Sequence, residues 1–246
     1  MRIISLNIWG GKLKPRLLEF FRGRADQTDF FCLQEVFDNG KTTRPIYKME
    51  NMNVFAEIQA ELPNHDGFFA PSEGNEEGLA IFYRKGIEVR EMGDVFCFRW
   101  KDAMENDDSK TLGRNLQYIS FVSRGNNFLI CNFHGLWNGI NKLDSEDRIK
   151  QSENIIKFLN DRSEFSKVLC GDFNLLPDTK SIRMFEEAGL RNLIREFGVT
   201  STRTSFYTKL VKFAGYVFIS NEVRLKDFKV LPDEVSDHSP LLIEVE

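Results

Sequence analysis

The chain has 246 residues, of which 41% are hydrophobic, and its formal net charge is −4. This length and apolar content are sufficient to bury a full core. The basic residues are scattered and form no Lys/Arg run. This argues against a protein that coats nucleic acid, but it leaves open a nuclease site with a few phosphate contacts.

Eight apolar segments of strand length occur along the chain. In order, they are Ile3–Ile8, Phe30–Val36, Leu79–Arg84, Leu116–Ser123, Phe128–Phe133, Lys167–Cys170, Tyr216–Ser220 and Leu241–Val245. We predict a strand for each of them. The sequence RGNN at 124–127 is a turn signal between two of these segments and predicts an antiparallel hairpin.

Four segments between these strands are predicted to be helices. They are Pro15–Arg22, Met52–Glu61, Asp144–Asp161 and Thr179–Ala188. The third has an acidic first turn and places Ile149, Ile156 and Leu159 on one face, which we expect to be buried. The mixture of hairpins and helices favours a layered α/β sandwich over a parallel, doubly wound sheet. The polar stretch Lys101–Gly113 has no periodicity and is predicted to be a surface loop.

No linker or domain boundary is evident, so residues 1–246 are predicted to form a single domain.

The four cysteines lie in apolar surroundings and lack CxxC spacing: Cys32, Cys97, Cys131 and Cys170. They are predicted to be reduced core thiols rather than zinc ligands or disulfides, which favours a cytoplasmic protein. The segment RIISLNI is typical of a strand rather than a leader, and no apolar run is long enough to span a membrane.

Polar side chains stand at or near one end of five predicted strands. They are Asn7, Glu35, His134, Asp172, Asn174, Asp237 and His238. Each alone is typical of a satisfied polar group at a strand end. Together they indicate one site, because ligand crevices commonly form at strand ends in α/β proteins. Carboxylates, an amide and imidazoles suit a Mg²⁺ ion and an activated water, so the set predicts a hydrolase.

The order of these motifs resembles the endonuclease/exonuclease/phosphatase superfamily. The matching segments are LNIWG, LQEV, EGLAIFYR, NFHG, GDFN, AGYVFIS and SDHSPL, and they cover residues 7–238. The resemblance implies a four-layer α/β/β/α sandwich with two mainly antiparallel sheets. It also implies hydrolysis of a phosphoester bond with Mg²⁺ or Mn²⁺. By the same resemblance, Glu35 is the principal metal ligand, supported by Asn7 and Asp237.

The resemblance also assigns catalytic roles, and these agree with the positioning and charge neutralisation that phosphoryl transfer needs. Asp172 orients and deprotonates the attacking water, and Asn174 hydrogen-bonds a phosphate oxygen. His238 either stabilises the developing charge on phosphorus or protonates the leaving group. His134 assists from the opposite side.

Four further residues are candidates for supporting roles. Glu77 is expected to orient His134 by accepting a hydrogen bond from its other N–H, and the adjacent Glu76 is an alternative for this role. The simpler interpretation is that the two acids are a solvated pair. Arg114 and Arg148 are candidate phosphate-binding residues, because guanidinium groups suit bidentate contacts with oxyanions. The alternative for both arginines is a surface ion pair.

One position departs from the family pattern. Gly215, in KFAGYVFIS, stands where members of the family carry an Asp that accepts a hydrogen bond from the imidazole corresponding to His238. Either water or another acid orients His238, with Asp233 and Glu234 nearby in sequence, or activity is impaired. We therefore predict that Gly215→Asp raises kcat.

The function predicted from the sequence is that of a Mg²⁺-dependent phosphodiesterase. The acidic chain favours a small or end-processing substrate, and a DNA or RNA nuclease is the alternative within the enzymes. A catalytically weakened phosphate-binding module is the alternative outside them, because of Gly215. Trp9 and Trp137 lie beside the proposed catalytic segments, where each either stacks on a base, sugar or lipid group or packs in the core or at its rim.

Overall fold

The computed structural model describes residues 1–40, 50–73, 76–99 and 113–246. Within these residues, twelve strands form two sheets of six. The first sheet, in spatial order, contains β11 (Leu225–Val230), β12 (Leu241–Val245), β1 (Arg2–Asn7), β2 (Phe30–Phe37), β4 (Glu77–Arg84) and β3 (His65–Glu73). The second contains β5 (Val89–Phe98), β6 (Arg114–Ser123), β7 (Asn126–His134), β8 (Ser166–Asp172), β10 (Gly215–Ile219) and β9 (Arg191–Asn192).

Each sheet is antiparallel except for one parallel pair. This pair is β1–β2 in the first sheet and β7–β8 in the second. Two strands that run in the same direction bring their carboxyl ends to the same edge of a sheet. The two sheets therefore each offer one edge at which polar residues from two strands meet.

Helices cover the outer face of each sheet. α1 (Lys14–Arg24) and α2 (Val54–Glu61) pack on the first sheet, whereas α3 (Glu146–Asn160), α4 (Lys180–Glu187) and the short α5 (Leu193–Glu196) pack on the second. Strand β2 alternates between two cores: Phe31 and Leu33 join the helices, and Phe30 and Cys32 join the core between the sheets. This arrangement confirms the predicted four-layer sandwich, and burial on both faces explains why β2 is apolar from Phe30 to Leu33.

All eight predicted strands and all four predicted helices are present, with ends that differ by at most two residues. The predicted hairpin joins β6 to β7. Its two turn residues, Arg124 and Gly125, both have positive φ, as a tight hairpin with the right-handed strand twist requires.

Four strands were not predicted, and all four lie at sheet edges. They are β3 and β11 in the first sheet and β5 and β9 in the second. Edge strands need only one pairing partner and carry charges, glycine and proline that central strands avoid. The apolar pattern that identified the central strands is therefore absent from them.

The buried face of α3 differs from the prediction. Ile149 and Ile156 are only partly buried, whereas Ile155 and Phe158 are buried with Leu159. The same inward face carries polar side chains that bind the loop after β7, so apolar spacing alone misplaced it.

All four cysteines are free and buried, as predicted. Among the described residues, no helix combines the length and apolar character needed to cross a membrane. The predicted loop Lys101–Gly113 falls outside the described residues, except for Gly113.

Candidate active site

The carboxyl ends of the two parallel strand pairs face each other across the sandwich. β1 and β2 bring Asn7 and Glu35 to this edge, and β7 and β8 bring His134 and Asp172. The Asn7 Nδ2 atom donates to Glu35 Oε1 and to Asp172 Oδ2, both at 2.9 Å. One amide thus joins the carboxylates of the two sheets.

Asn7 forms hydrogen bonds through both ends of its amide. Its Oδ1 atom accepts a hydrogen bond from the Trp9 backbone N–H at 2.9 Å. Because both carboxylates accept only, the Nδ2 group must face them. Asn7 therefore holds the two acids in place, and its oxygen, the atom expected to bind metal, keeps a second lone pair beside the bond from Trp9.

The segment before β12 brings His238 against Asp172. His238 Nε2 lies 3.3 Å from Asp172 Oδ2 and 3.7 Å from Asp237 Oδ1. A short antiparallel bridge pairs His238 with Arg203. The Thr204 N–H donates to the Asp237 carbonyl at 3.2 Å, and the Ser239 N–H donates to the Thr202 carbonyl at 3.1 Å. Residues 202–204, termed the clamp below, thus fix the backbone on both sides of His238.

The clamp also supplies a cation that the sequence did not indicate. Arg203 Nη1 lies 2.6 Å from Asp237 Oδ2, and the guanidinium stacks 4.0 Å from the ring centre of Tyr207. The second carboxylate oxygen, Asp237 Oδ1, is buried and has no hydrogen-bond partner. It is the atom of Asp237 that a ligand could use.

The surroundings of His134 differ from the prediction. Arg114 Nη1 lies 3.5 Å from His134 Nδ1, and a guanidinium can only donate. Nδ1 must therefore be the acceptor, so it has no proton to give to Glu77. Glu77 instead accepts a hydrogen bond from the Ser72 hydroxyl at 3.1 Å and stabilises Arg114 electrostatically. The expected Glu77–His134 contact is absent from the contacts of the described residues.

Asn174 lies beside Asp172 and His134. Its backbone N–H donates to Asp172 Oδ1 at 2.9 Å, and its Nδ2 lies 3.4 Å from His134 Nε2. Asn174 and Glu35 both have positive φ, at 54° and 56°. Non-glycine residues rarely hold this conformation, and it is concentrated at functional sites.

Arg148 does not reach the pocket, and the phosphate contact expected for it is wrong. Its guanidinium is buried and donates to the backbone carbonyls of Leu136, Asn141 and Leu143. The alternative of a surface ion pair is wrong as well. Arg148 instead shapes the loop that follows β7, a role that sequence spacing could not reveal.

The two central carboxyl groups have opposite pKa shifts. Burial raises the pKa of Glu35 to about 7, and the carboxylates of Asp237, Asp172 and Glu77 add to the rise, against the hydrogen bond from Asn7. Burial also opposes ionisation of Asp172, but His238, His134, Arg203 and Lys142 hold its pKa well below the usual range. Asp172 is therefore the ionised member of the pair.

Both imidazoles are held neutral. Burial and the Arg114 charge lower the pKa of His134 to about 3, and burial and Arg203 lower the pKa of His238 well below its ordinary value. Burial also lowers the pKa of Lys142 to about 8. Because both imidazoles are neutral at neutral pH, Arg203 and Lys142 provide the cationic charge that stabilises Asp172 under those conditions.

The donor set fits a divalent cation. One ligand atom from each of Glu35, His134 and Asp172 lies within 4.8 Å of the other two. Asp237 Oδ1 adds a buried oxygen without a partner. Hard cations such as Mg²⁺ prefer carboxylate oxygens. Burial is the main cause of the raised pKa of Glu35, and the nearby carboxylates of Asp237, Asp172 and Glu77 add to it.

A pocket of about 260 Å³ opens over these groups. It is lined by most of the predicted site residues and also by residues that the sequence did not single out, which are Lys12, Lys142, Arg203, Tyr207 and Lys209. These residues belong to loops or to a short turn, where no periodic pattern marks a functional side chain. The only available signal was that the segment before β10, residues 197–214, contains Arg203, Lys209 and Lys212 and no acid.

Gly215 pairs with Asp172 across β8 and β10. Its N–H donates to Thr202 Oγ1 at 3.2 Å, and a Cβ atom there would lie 3.2 Å from Leu241 Cδ1 and 3.8 Å from Thr202 Cβ. The two acids proposed as substitutes are engaged elsewhere. Asp233 pairs with Arg24 at 2.8 Å, and Glu234 accepts the Ser205 N–H at 3.2 Å.

Comparison with known proteins identifies the class. The model of the Endonuclease/Exonuclease/phosphatase family matches residues 4–238, so the chain belongs to this family, whose members are phosphoesterases. This confirms the resemblance inferred from the motifs. Comparison with curated protein sequences gives no significant match.

Several solved structures share the fold at low identity. A family member from Bacteroides thetaiotaomicron is 18% identical, with a TM-score of 0.77 over 100% of this chain and 97% of that one. A mannosyl-6-phosphatase from the same organism is 18% identical, with a TM-score of 0.76 over 100% and 99%. TDP2 from D. rerio, solved with a single strand DNA product, is 16% identical, with a TM-score of 0.72 over 100% and 98%.

Proposed function

We propose that this protein is a phosphodiesterase that depends on Mg²⁺ or Mn²⁺. The observation that carries the proposal is the pair of carboxyl groups joined by Asn7, one held ionised and the other with a pKa of about 7. Two acids in different environments can take different roles in one reaction. Here one activates water, and the other holds a cation.

The cation would be held by Glu35 with Asp237 Oδ1, and it would neutralise charge on the phosphoryl group. Asp172 then orients the attacking water and takes its proton, since its carboxylate is ionised and buried. The Asn174 N–H donates to Asp172 Oδ1 and the Asn7 amide donates to Oδ2, and these two hydrogen bonds fix the carboxylate. Positioning of this kind is a large part of catalysis in phosphoryl transfer.

Neutral imidazoles favour one of the two roles considered for His238. A neutral ring in this position serves better as a hydrogen-bond donor to a phosphoryl oxygen than as the acid that protonates the leaving group. Arg114, 3.5 Å from His134, brings a fixed positive charge to the opposite wall. These donors stabilise the charge that develops on the phosphoryl oxygens.

The neighbouring folds do not select the substrate, because they serve both a mannosyl-6-phosphatase and a protein solved with DNA. A nuclease remains the second candidate. Two tryptophans beside the pocket carry lysine ammonium groups over their rings, Lys12 on Trp9 at 4.7 Å and Lys209 on Trp137 at 5.5 Å. Such aromatic and basic pairs suit a nucleotide base and its phosphate.

We also propose one domain for residues 1–246 and a cytoplasmic location. The core between the sheets draws side chains from both of them, which supports a single folding unit. Four free, buried cysteines support a reducing compartment.

The test is turnover of bis(4-nitrophenyl) phosphate with Mg²⁺, with Mn²⁺ and after chelation. We expect metal-dependent release of nitrophenol by the wild type and its loss in Asp172→Asn. Asp161→Asn, on the exposed end of α3, is the matched control and should retain turnover. Equal background from the wild type and Asp172→Asn would favour the phosphate-binding module. Parallel assays with single-stranded DNA, RNA and a nitrophenyl monoester separate nuclease and monoesterase activity.

A further inference from the structure

The exposed apolar side chains are concentrated beside the pocket. Seven large hydrophobic side chains are exposed in the described part of the chain, and five of them lie in the loops 136–143 and 205–213, together termed the rim. The five are Trp137, Ile140, Leu143, Leu210 and Val211. Leu210 is 97% exposed and Ile140 is 80% exposed. Such clustering on one side of a protein marks an interaction surface.

The two loops form one surface that is continuous with the pocket. Lys209 lies over the Trp137 ring, and the Lys142 ammonium donates to the Phe213 carbonyl at 2.6 Å. Trp137 and Lys142 from the first loop, and Tyr207 and Lys209 from the second, line the pocket itself. Anything that binds the rim is therefore brought to the mouth of the pocket.

The charge of the rim is opposite to that of the chain. Neither loop contains Asp or Glu, although the whole chain has 37 acidic residues and a net charge of −4. The rim lysines are Lys142, Lys209 and Lys212, and none forms an ion pair with a carboxylate in the part of the chain that the structure describes. Lys209 is exposed, whereas Lys142 is buried and the half-buried Lys212 ammonium donates to the Tyr207 carbonyl. The rim is thus both apolar and cationic.

We propose that the rim docks on an anionic phospholipid surface. Ile140 and Leu210 stand almost free of the body of the protein, as side chains that enter an interfacial layer do. The exposed Lys209 beside them matches the phosphates of the headgroups. A protein interface more often has a packed apolar core surrounded by polar groups. The protruding side chains of the rim do not form such a core.

Docking would place the pocket against phosphoesters in the headgroup layer. Hydrolysis of those phosphoesters rests on the proposed function, whereas docking of the rim on the phospholipid surface does not. Binding is therefore measured with the full-length Asp172→Asn protein as well as with the wild type. Failure of catalysis would leave vesicle binding intact, and failure of docking would leave turnover of the soluble aryl diester intact.

The test is sedimentation with vesicles of phosphatidylcholine alone or mixed with phosphatidylglycerol, at low and high salt. The wild type should bind the mixed vesicles, and more weakly at high salt. Ile140→Ser combined with Leu210→Ser should lower the partition constant about a hundredfold, because each buried aliphatic side chain contributes about tenfold or more. Lys209→Gln should lower it about fivefold on the anionic vesicles only.

The matched control is Met92→Ser combined with Phe197→Ser. These are the two other exposed large hydrophobic residues in the described chain, at 42% and 46% exposure. The control should bind the vesicles like the wild type, and thermal melting should show that every variant is folded. Wild-type protein that binds neither vesicle, or an equal loss in the control and in the Ile140/Leu210 variant, would overturn the proposal.

Discussion

Each of the two parallel strand pairs contributes one carboxyl group to the site, but the surroundings of the two groups differ. The first pair presents Glu35 from a strand with a register shift between Leu33 and Val36, and its side chain is 32% exposed. The second presents Asp172 at the end of a regular strand, with a side chain that is 2% exposed. The more buried acid is nevertheless the ionised one, because fixed cations face it while other carboxylates face Glu35.

This difference teaches that burial alone does not determine the charge of a carboxyl group. Both acids lose solvation, which disfavours their ionised forms, and the sign of the neighbouring charges decides the outcome. At Asp172, Arg203 and Lys142 come from loops outside the strands. The loops therefore make two similar strand ends chemically unequal.

The largest expected effect is that of Asp172→Asn. At saturating Mg²⁺, kcat for the aryl diester should fall about 10⁴-fold, since the carboxylate proposed to take the proton from water is lost. The affinity for Mg²⁺, measured by calorimetry on the resting protein, should change much less. A fall in affinity as large as that of Glu35→Gln would mean that Asp172 is a metal ligand, and the two acids would not differ in role.

Glu35→Gln should act mainly on the metal. We expect the dissociation constant for Mg²⁺ to rise at least about a hundredfold, because a neutral amide replaces the principal anionic ligand. Glu61→Gln, which affects an exposed ion pair with Arg22, is the control and should leave the affinity unchanged. Unaltered Mg²⁺ affinity in Glu35→Gln would remove Glu35 from the metal site.

Asn7→Ala should loosen the positions of both Glu35 and Asp172. Its amide is the donor that the two carboxylates share, so its removal leaves them facing each other without the bridging hydrogen bonds. We expect a loss of about 1–3 kcal/mol in the free energy of unfolding and a decrease in kcat of about tenfold to a hundredfold. Chemical denaturation and steady-state kinetics measure the two effects. Asn154→Ala, which removes a hydrogen bond to the Cys97 carbonyl, is the control for kcat.

The pH dependence of the metal-free protein reports on Glu35. Its pKa rises from an ordinary 4.5 to about 7 on folding, so the folded state binds the proton more tightly than the unfolded state. The stability contributed by this proton is fully present below pH 4.5 and is lost as the pH rises to about 7. The difference in melting temperature between wild type and Glu35→Gln should follow this window. A difference independent of pH would contradict the raised pKa.

The same proton competes with the metal. Below pH about 7, the affinity for Mg²⁺ should fall by up to about tenfold per pH unit, because Glu35 must lose its proton to bind the ion. Calorimetry in buffers of different ionisation enthalpy should detect proton release on binding. Affinity that stays constant across this range would argue against Glu35 as the ligand.

The smallest effect is expected for Gly215→Asp. The backbone there is not left-handed, and only the flexible tip of Leu241 must yield to a new Cβ, so the substitution should fold. One added hydrogen bond to the His238 ring contributes about 1 kcal/mol, which corresponds to about a fivefold rise in kcat. An unchanged kcat would indicate that the clamp already holds His238 sufficiently.

The amino-acid sequence by itself determined the central strands and the residues at their ends. β1, β2, β7 and β8 are buried on both faces, so each is mostly apolar before the polar residue that meets the pocket. Gln34 and Asn132 are exceptions inside β2 and β7, and they hydrogen-bond each other at 2.7 Å between the sheets. Asn7, Glu35, His134 and Asp172 therefore stand out against their neighbours. The order of these interruptions was sufficient to recognise the family.

The tertiary structure decided what surrounds those residues. Edge strands such as β5 and β11 pair with only one neighbouring strand and need no repeating apolar pattern. The sequence therefore did not reveal them. Arg203 and Lys142 come from loops, where a side chain's partners depend on contacts between distant segments rather than on a local period. Arg148, a candidate phosphate ligand by its chemistry, was turned toward backbone carbonyls by the packing of α3. The contacts and the charge state of a side chain, unlike the period of a strand, become defined only when the chain is folded.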